Sequence, residues 1–298
     1  MERKIICIVG PTASGKTSLA VWLAKKLKAE IISADSRQVY KKLDIGTSKD
    51  LKGYGKVKYH LIDVCKAEEK FTLFDWLDQA QKGIEILFEK NIVPIVVGGT
   101  GLYVQALVEG FESHQPSAVS VQHKKYNREE LDKKTLTQLQ KIYSQFETRK
   151  SQIDLNNPRR LIRAIELSQE GTNPTKKKPD FEVLQIGIIR DREELYNRID
   201  GLVDQWFEEG FLEEVRGLID SGVSIQWLHD IGLEYRIVSE YILNGEQPNE
   251  FDEMKQSIKF AIHHYARRQL TWFRRFTEIK WVNNREESLE IAKNFLKL

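Results

Sequence analysis

The segment Gly10-Pro11-Thr12-Ala13-Ser14-Gly15-Lys16-Thr17 restricts this chain more than any other. It satisfies G-x-x-x-x-G-K-[ST] in full. Residues 4–9 before it are an apolar run rich in Ile and Val, which reads as a buried strand. Residues 18–27 after it place Leu19, Ala20, Leu23, Ala24 and Leu27 on one helical face. A strand, a glycine-rich turn and a helix in that order form a cradle for phosphate. The glycines let the backbone wrap closely, and the loop N–H groups and the helix N-terminus supply positive potential. Lys16 adds a point charge, and Thr17 offers a hydroxyl to Mg²⁺. Gly10, Thr12, Ala13, Ser14, Gly15, Lys16 and Thr17 are the expected phosphate-binding residues. An ordinary turn at a strand–helix junction is the competing explanation, and the complete pattern in its full context argues against it.

The same strand–helix rhythm continues through the first third. Residues 31–34 read as a strand ending at Asp35, 60–64 as a third strand, 74–90 as an amphipathic helix and 92–97 as a fourth strand closed by Gly98-Gly99. Such alternation builds a parallel sheet covered by helices. Residues 112–157 then turn polar and lysine-rich, with a loop over 113–122 and a charged helix over 127–146 whose apolar face is thin. Pro158 suits the first turn of a stronger helix over 158–170. A strand at 183–189 is expected to return to the sheet. Helices follow over 192–209, 212–221, 235–243, 251–276 and 286–298, with a last short strand at Trp281-Val282. The expected fold is α/β: a P-loop NTPase-like parallel sheet flanked by helices, with a core of residues 1–112 and 158–298, a small helical insertion over 113–157 and a helical C-terminal region.

Composition removes other classes. In 298 residues, 10% are aromatic and 46 Lys+Arg stand against 44 Asp+Glu, which excludes a disordered polyelectrolyte. No apolar run approaches the ~20 residues that span a bilayer, so no membrane association is expected. The apolar run at 5–9 is too short for a signal peptide. Cys7 and Cys65 lie far apart in apolar segments and read as buried free thiols, which fits a reducing, cytoplasmic setting. The near-neutral total hides segregation. Arginines cluster at 159–163 and 267–275, and acids at 207–214 and 246–253.

The phosphate loop does not specify a reaction. The guanine-reading N-K-x-D pattern of GTPases is absent. Asp35-Ser36-Arg37-Gln38-Val39-Tyr40 falls at the carboxyl end of the second strand, where open α/β sheets bind ligands. Asp35 could hold Mg²⁺, take a proton from an incoming nucleophile, or merely cap a turn. Asp63 competes for the metal-side role by the same geometry. Gly98-Gly99-Thr100-Gly101-Leu102-Tyr103 ends the fourth strand, and Thr100 either presents its hydroxyl to a ligand or caps the next helix.

Taken in order, these segments resemble the tRNA dimethylallyltransferase (tRNA isopentenyltransferase) family. The resemblance also runs through Asp44-Ile45-Gly46-Thr47-Ser48-Lys49, His60-Leu61-Ile62-Asp63, residues 157–166 and residues 267–275, and so covers most of the chain. It implies Mg²⁺-dependent transfer of a dimethylallyl group from dimethylallyl diphosphate to N6 of an adenosine beside the anticodon of tRNA. It further implies Asp35 as the base, Thr100 as an assistant near the transferring group, and Arg198 as a diphosphate contact. The tRNA anticodon stem-loop would then meet Asp35, Ser36, Arg37 and Gln38 at the base. Arg159, Arg160 and Arg163 would meet phosphates, and Arg267, Arg268, Gln269, Trp272 and Arg274 would grip backbone and bases. A monomer is expected. The chain departs from the family pattern in the insertion, which has no arginine from Phe111 until Arg128. It departs again at Ile231-Gly232-Leu233-Glu234-Tyr235, where Ile-Gly-Tyr-Lys-Glu is common. Three alternatives stay open at this point: a P-loop small-molecule kinase consuming ATP, a prenyltransferase of free adenine nucleotides, and a non-catalytic nucleotide-regulated RNA-binding protein.

Overall fold

A computed structural model describes residues 2–113, 126–146, 153–170, 175–176 and 178–298. In chain order the first elements are β1 (Lys4–Val9), α1 (Lys16–Leu27), β2 (Glu30–Ser33), α2 (Leu51–Tyr54), β3 (Tyr59–His60), α3 (Leu73–Glu89), β4 (Pro94–Gly98) and α4 (Gly101–Glu109). Next come β5 (Glu112–Ser113), α5 (Arg128–Asp132), α6 (Leu136–Tyr143), α7 (Pro158–Glu170) and β6 (Thr175–Lys176). The chain ends with β7 (Glu182–Ile188), α8 (Arg192–Glu208), α9 (Phe211–Asp220), α10 (Ile225–Ile231), α11 (Leu233–Leu243), α12 (Phe251–Phe273), β8 (Lys280–Val282) and α13 (Arg285–Leu296). Two compact units result: Met1–Glu109 with Pro179–Leu298, and Gly110–Lys178.

The first unit is built on a six-stranded sheet of order β3-β2-β4-β1-β7-β8, parallel throughout. Every residue of β1, β2 and β4 is buried, because helices cover both faces. That explains why these strands read as continuous apolar runs rather than as an alternation. The chain leaves β1, passes over β4 to form β2, and returns to form β4 between them. The pairings Val9↔Gly98 and Ser33↔Val97 bring the carboxyl ends of β1, β4 and β2 level. A Cβ at Gly98 would stand 2.1 Å from the Ala34 carbonyl, so only glycine lets the chain leaving β2 pass so close to the end of β4. The returning strand and the final short strand are both found, as β7 and β8.

The C-terminal region is helical as expected, with α10 as an addition between the anticipated helices. Trp206, Phe211, Tyr235, Ile258 and Ile262 of α8, α9, α11 and α12 share a buried cluster with Val39, Tyr40 and Leu43. This packing fastens the helices over the segment that follows β2. Cys7 and Cys65 are free and buried. Among the described residues no helix is long and apolar enough to cross a membrane.

The second unit differs from the expected insertion in two ways. The helix expected over 127–146 breaks at Lys133-Lys134. Asn127 caps α5 in a capping box with Glu130, and Thr135 starts α6 in another with Gln138, so two strong start signals lie eight residues apart. The expected boundary at 157/158 also moves. Leu161, Ile162 and Ile165 of α7 pack with Leu131, Leu139 and Ile142. The short helices α5 and α6 carry too narrow an apolar face to bury alone, and α7 completes their core. It therefore belongs to this unit and not to the sheet core. Ser113 of the expected 113–122 loop pairs as β5 with β6; positions 114–122 lie outside the described residues.

Candidate active site

The phosphate loop closes between β1 and α1. Gly15 caps α1 at φ 89°, a left-handed conformation that suits glycine, and Leu19 N donates to Gly15 O at 3.0 Å. Lys16 Nζ donates to Pro11 O at 3.2 Å, so the ammonium folds back across the loop. Two arginines grip the outer carbonyls: Arg198 Nε donates to Ala13 O at 2.8 Å and Arg190 Nε to Ser14 O at 3.2 Å. Burial pushes the Lys16 ammonium below its ordinary value; Asp35 opposes that shift and Arg37 adds to it.

Facing the loop is the turn after β2. Asp35 Oδ1 accepts from Arg37 N at 3.0 Å and Gln38 N at 3.4 Å. Oδ2 accepts nothing from the described residues. Thr100 secures the same turn from the end of β4, since its Oγ1 accepts from Ser36 N at 3.1 Å and donates to Ser36 Oγ at 3.3 Å. Asp35, Arg37, Gln38, Thr12, Ala13, Gly15, Lys16, Thr17 and Arg198 line one cavity of about 240 Å³. The wall has a cationic side at the loop and the Asp35 carboxylate at the turn, with Asp50 and Glu234 as further carboxylates in the lining. It suits a reaction in which phosphate charge is held while a proton is taken nearby.

The other expected residues separate into groups. Asp63 is not in this wall: Lys49 Nζ binds it at 2.6 Å together with Asp44 at 2.9 Å, a structural role. Gln38 lines the cavity, but its amide is engaged by Ser33 Oγ at 3.3 Å and by Thr47 O at 3.0 Å. Gln269 is corrected from an RNA-facing to an inner role. It is buried, accepts from Thr12 N at 2.8 Å and donates to Gly99 O at 2.9 Å, and so ties the phosphate loop to the end of β4. Trp272 is likewise a packing residue. It lies so close to Gly101 that a Cβ there would stand 2.2 Å from the indole, and Arg275 stacks over its outer face at 5.1 Å. Arg267, Arg268 and Arg274 are exposed. Arg159, Arg160 and Arg163 are exposed on α7 of the second unit, with Arg163 bonded to Glu166 at 3.2 Å.

Residues that sequence reasoning missed are Arg190, Tyr265 and Glu234. Arg190 carried a usable signal, a basic residue just past the carboxyl end of a strand. Tyr265 and Glu234 line the cavity from α12 and α11; Tyr265 had no signal, and Glu234 only its place in the segment that departs from the family pattern. Burial pushes the Tyr265 hydroxyl up to about 12. It also pushes the Glu234 carboxyl up, with the Arg37 guanidinium opposing.

A family model described as IPP transferase matches residues 38–276, and one described as isopentenyl transferase matches residues 3–54. The chain belongs to the IPP transferase family. It is 43% identical over 275 residues to tRNA dimethylallyltransferase 2 of Shewanella sediminis, covering 91% of this chain and 89% of that one. Among solved structures it is similar to the full-length tRNA isopentenylpyrophosphate transferase of Bacillus halodurans, at 34% identity and a TM-score of 0.72 over 99% of this chain and 96% of that one. A eukaryotic dimethylallyltransferase acting on tRNA has the same fold, with a TM-score of 0.77 at 22% identity over 99% of this chain and 80% of that one.

Gln269 offers a direct check on how the family site is braced. Gln269→Leu keeps the bulk but leaves the half-buried Thr12 N–H and the buried Gly99 C=O without this partner, at about 1–3 kcal/mol for the buried carbonyl. The expected result is a lower melting temperature together with weaker diphosphate binding, measured by calorimetry and by titration. Unchanged binding would separate this brace from the phosphate loop.

Proposed function

We propose that this protein transfers a dimethylallyl group from dimethylallyl diphosphate to N6 of the adenosine adjacent to the anticodon in tRNA. The observation that carries the reading is one cavity holding both the phosphate loop and Asp35. The loop amides, Lys16 and Arg198 take the diphosphate. As the C–O bond to diphosphate breaks, a C–N bond forms to N6, and the N6 proton passes to Asp35. Thr100 fixes the turn that presents Asp35.

The donor set suits Mg²⁺. Among the described residues no group of three or more His, Cys, Asp or Glu could hold a metal by itself. Mg²⁺ commonly relies on one or two protein oxygens, phosphate oxygens and water. Thr17 would hold it in the cavity wall, where it would neutralise charge on the departing diphosphate. An adenine must leave its stack to reach such a cavity. Ser36 and Arg37 stand beside Asp35 to meet it, and the exposed arginines of α7 and α12 supply phosphate contacts. Membership of the family favours neither the kinase nor the non-catalytic reading.

Incubation with dimethylallyl diphosphate, Mg²⁺ and unmodified tRNA, followed by nucleoside digestion and mass measurement, tests the proposal. A C5H8 increment on adenosine is expected. Its absence with folded protein and several tRNAs would overturn the reading.

A further inference from the structure

Arg37 and Glu234 form a part-buried ion pair in the cavity wall, 197 positions apart in the chain. Arg37 Nη1 donates to Glu234 Oε1. Glu234 is fully buried, and its Oε2 has no hydrogen-bond partner among the described residues. The guanidinium also lies 5.7 Å from the centroid of the Tyr265 ring. Glu234 sits in the first turn of α11, where a carboxylate is favoured by the helix dipole. The turn that delivers it is unusual: Gly232 and Leu233 have φ of 78° and 48°, and a left-handed leucine is costly.

This arrangement is a poor way to add stability. Burying two charges costs several kcal/mol per ion, and a volume-matched apolar pair is often as stable or more so. An orphaned carboxylate oxygen adds a further cost. The value of the pair must lie in where it puts charge. Arg37 is two residues from Asp35, and its own amide already donates to Asp35 Oδ1. A part-buried guanidinium without Glu234 would turn to Asp35, because Arg–carboxylate pairs are strongly favoured and frequently bidentate. That contact would occupy Oδ2, the oxygen needed to receive the N6 proton.

We propose that Glu234 is a positioning residue of the transfer step: it holds the Arg37 guanidinium away from Asp35 and so keeps Asp35 Oδ2 open to substrate. The proposal rests on the reading of Asp35 as the base. Arg37, held in this way, keeps its remaining N–H groups for the acceptor nitrogens of the incoming adenine.

The test compares the wild type, Glu234→Gln and the double variant Glu234→Gln/Arg37→Gln in single-turnover transfer at saturating donor and tRNA. The glutamine keeps the volume and removes the charge. The rate of the single variant is expected to fall about tenfold or more with donor affinity unchanged. The double variant is expected to recover much of that rate while binding tRNA more weakly, because the guanidinium that would close on Asp35 is gone. A purely structural role predicts the reverse, with the double variant as slow as the single or slower. That result, or a wild-type rate in Glu234→Gln, would overturn the proposal. Glu234→Asp, which keeps the charge one methylene short, is expected to lose less, and its recovery on adding Arg37→Gln gives the same test should the glutamine variant not fold. A crystal structure of the single variant needs no activity. Arg37 bonded to Asp35 supports the proposal, and Arg37 unmoved overturns it. An inactive wild type would count against dimethylallyl transfer, and the structure would still decide the role of Glu234.

Discussion

Asp35→Asn is expected to lower the transfer rate by roughly 10²- to 10⁴-fold, the usual contribution of a positioned general base. Asparagine keeps an oxygen to accept from Arg37 N and Gln38 N, so the turn after β2 should survive. It cannot take a proton at the position Oδ2 occupies. In the proposed reaction diphosphate would be held by the loop, Lys16 and Arg198, none of which relies on Asp35 for its hydrogen bonds. Donor affinity should therefore stay near the wild-type value while turnover collapses. Single-turnover nucleoside analysis and equilibrium donor binding together measure the two halves. A variant that turns over at the wild-type rate would remove Asp35 as the base and leave the cavity in need of another proton acceptor.

What was legible in the chain was whatever is encoded locally. The phosphate loop needs its glycines, lysine and threonine in one continuous segment, so eight residues carry the whole signal. Asp35 and Thr100 followed from the strand rhythm, because strand ends in a parallel sheet share one edge, and the register puts them there. Contacts that depend on distant partners were not legible. In residues 267–275 the pattern of arginines and aromatics fits an RNA face and a core face equally. The deciding facts are that Gly99 and Gly101 have no Cβ, so α12 comes close enough for Gln269 to reach both loops and for Trp272 to pack down. Helix periodicity in α7 shows an apolar face but not which neighbour covers it, and the thinness of α5 and α6 turned out to be the reason α7 joins them. Glu234 was visible only as a departure from a common pattern. Its partner lies on another element, and no spacing rule connects them.

Lys16→Met is expected to act in opposite directions on ligand affinity and on stability. Hydrogen bonds to charged groups contribute about 1.5–3 kcal/mol, so losing the ammonium should weaken diphosphate binding by roughly 10- to 150-fold. Without ligand the same ammonium is a burden. Burial pushes its titration below the ordinary lysine value, which means the folded state favours the neutral form more than the unfolded chain does. The sign follows directly. Below the folded-state value Lys16 is charged in both states and the full cost of burying it is present. As pH rises through that value toward the unfolded value near 10.4, the folded state sheds the charge and the cost disappears. The methionine variant should therefore melt above the wild type at neutral pH, with the gap closing as the pH approaches 10. Added diphosphate should invert the order at neutral pH, because it pairs with Lys16 in the wild type and stabilises only the state that binds it. Melting curves at two pH values, with and without diphosphate, test each part. An equal diphosphate-induced rise in both proteins would show that Lys16 does not hold the ligand. A gap that widens with pH would show that the ammonium is stabilised in the folded loop rather than strained there.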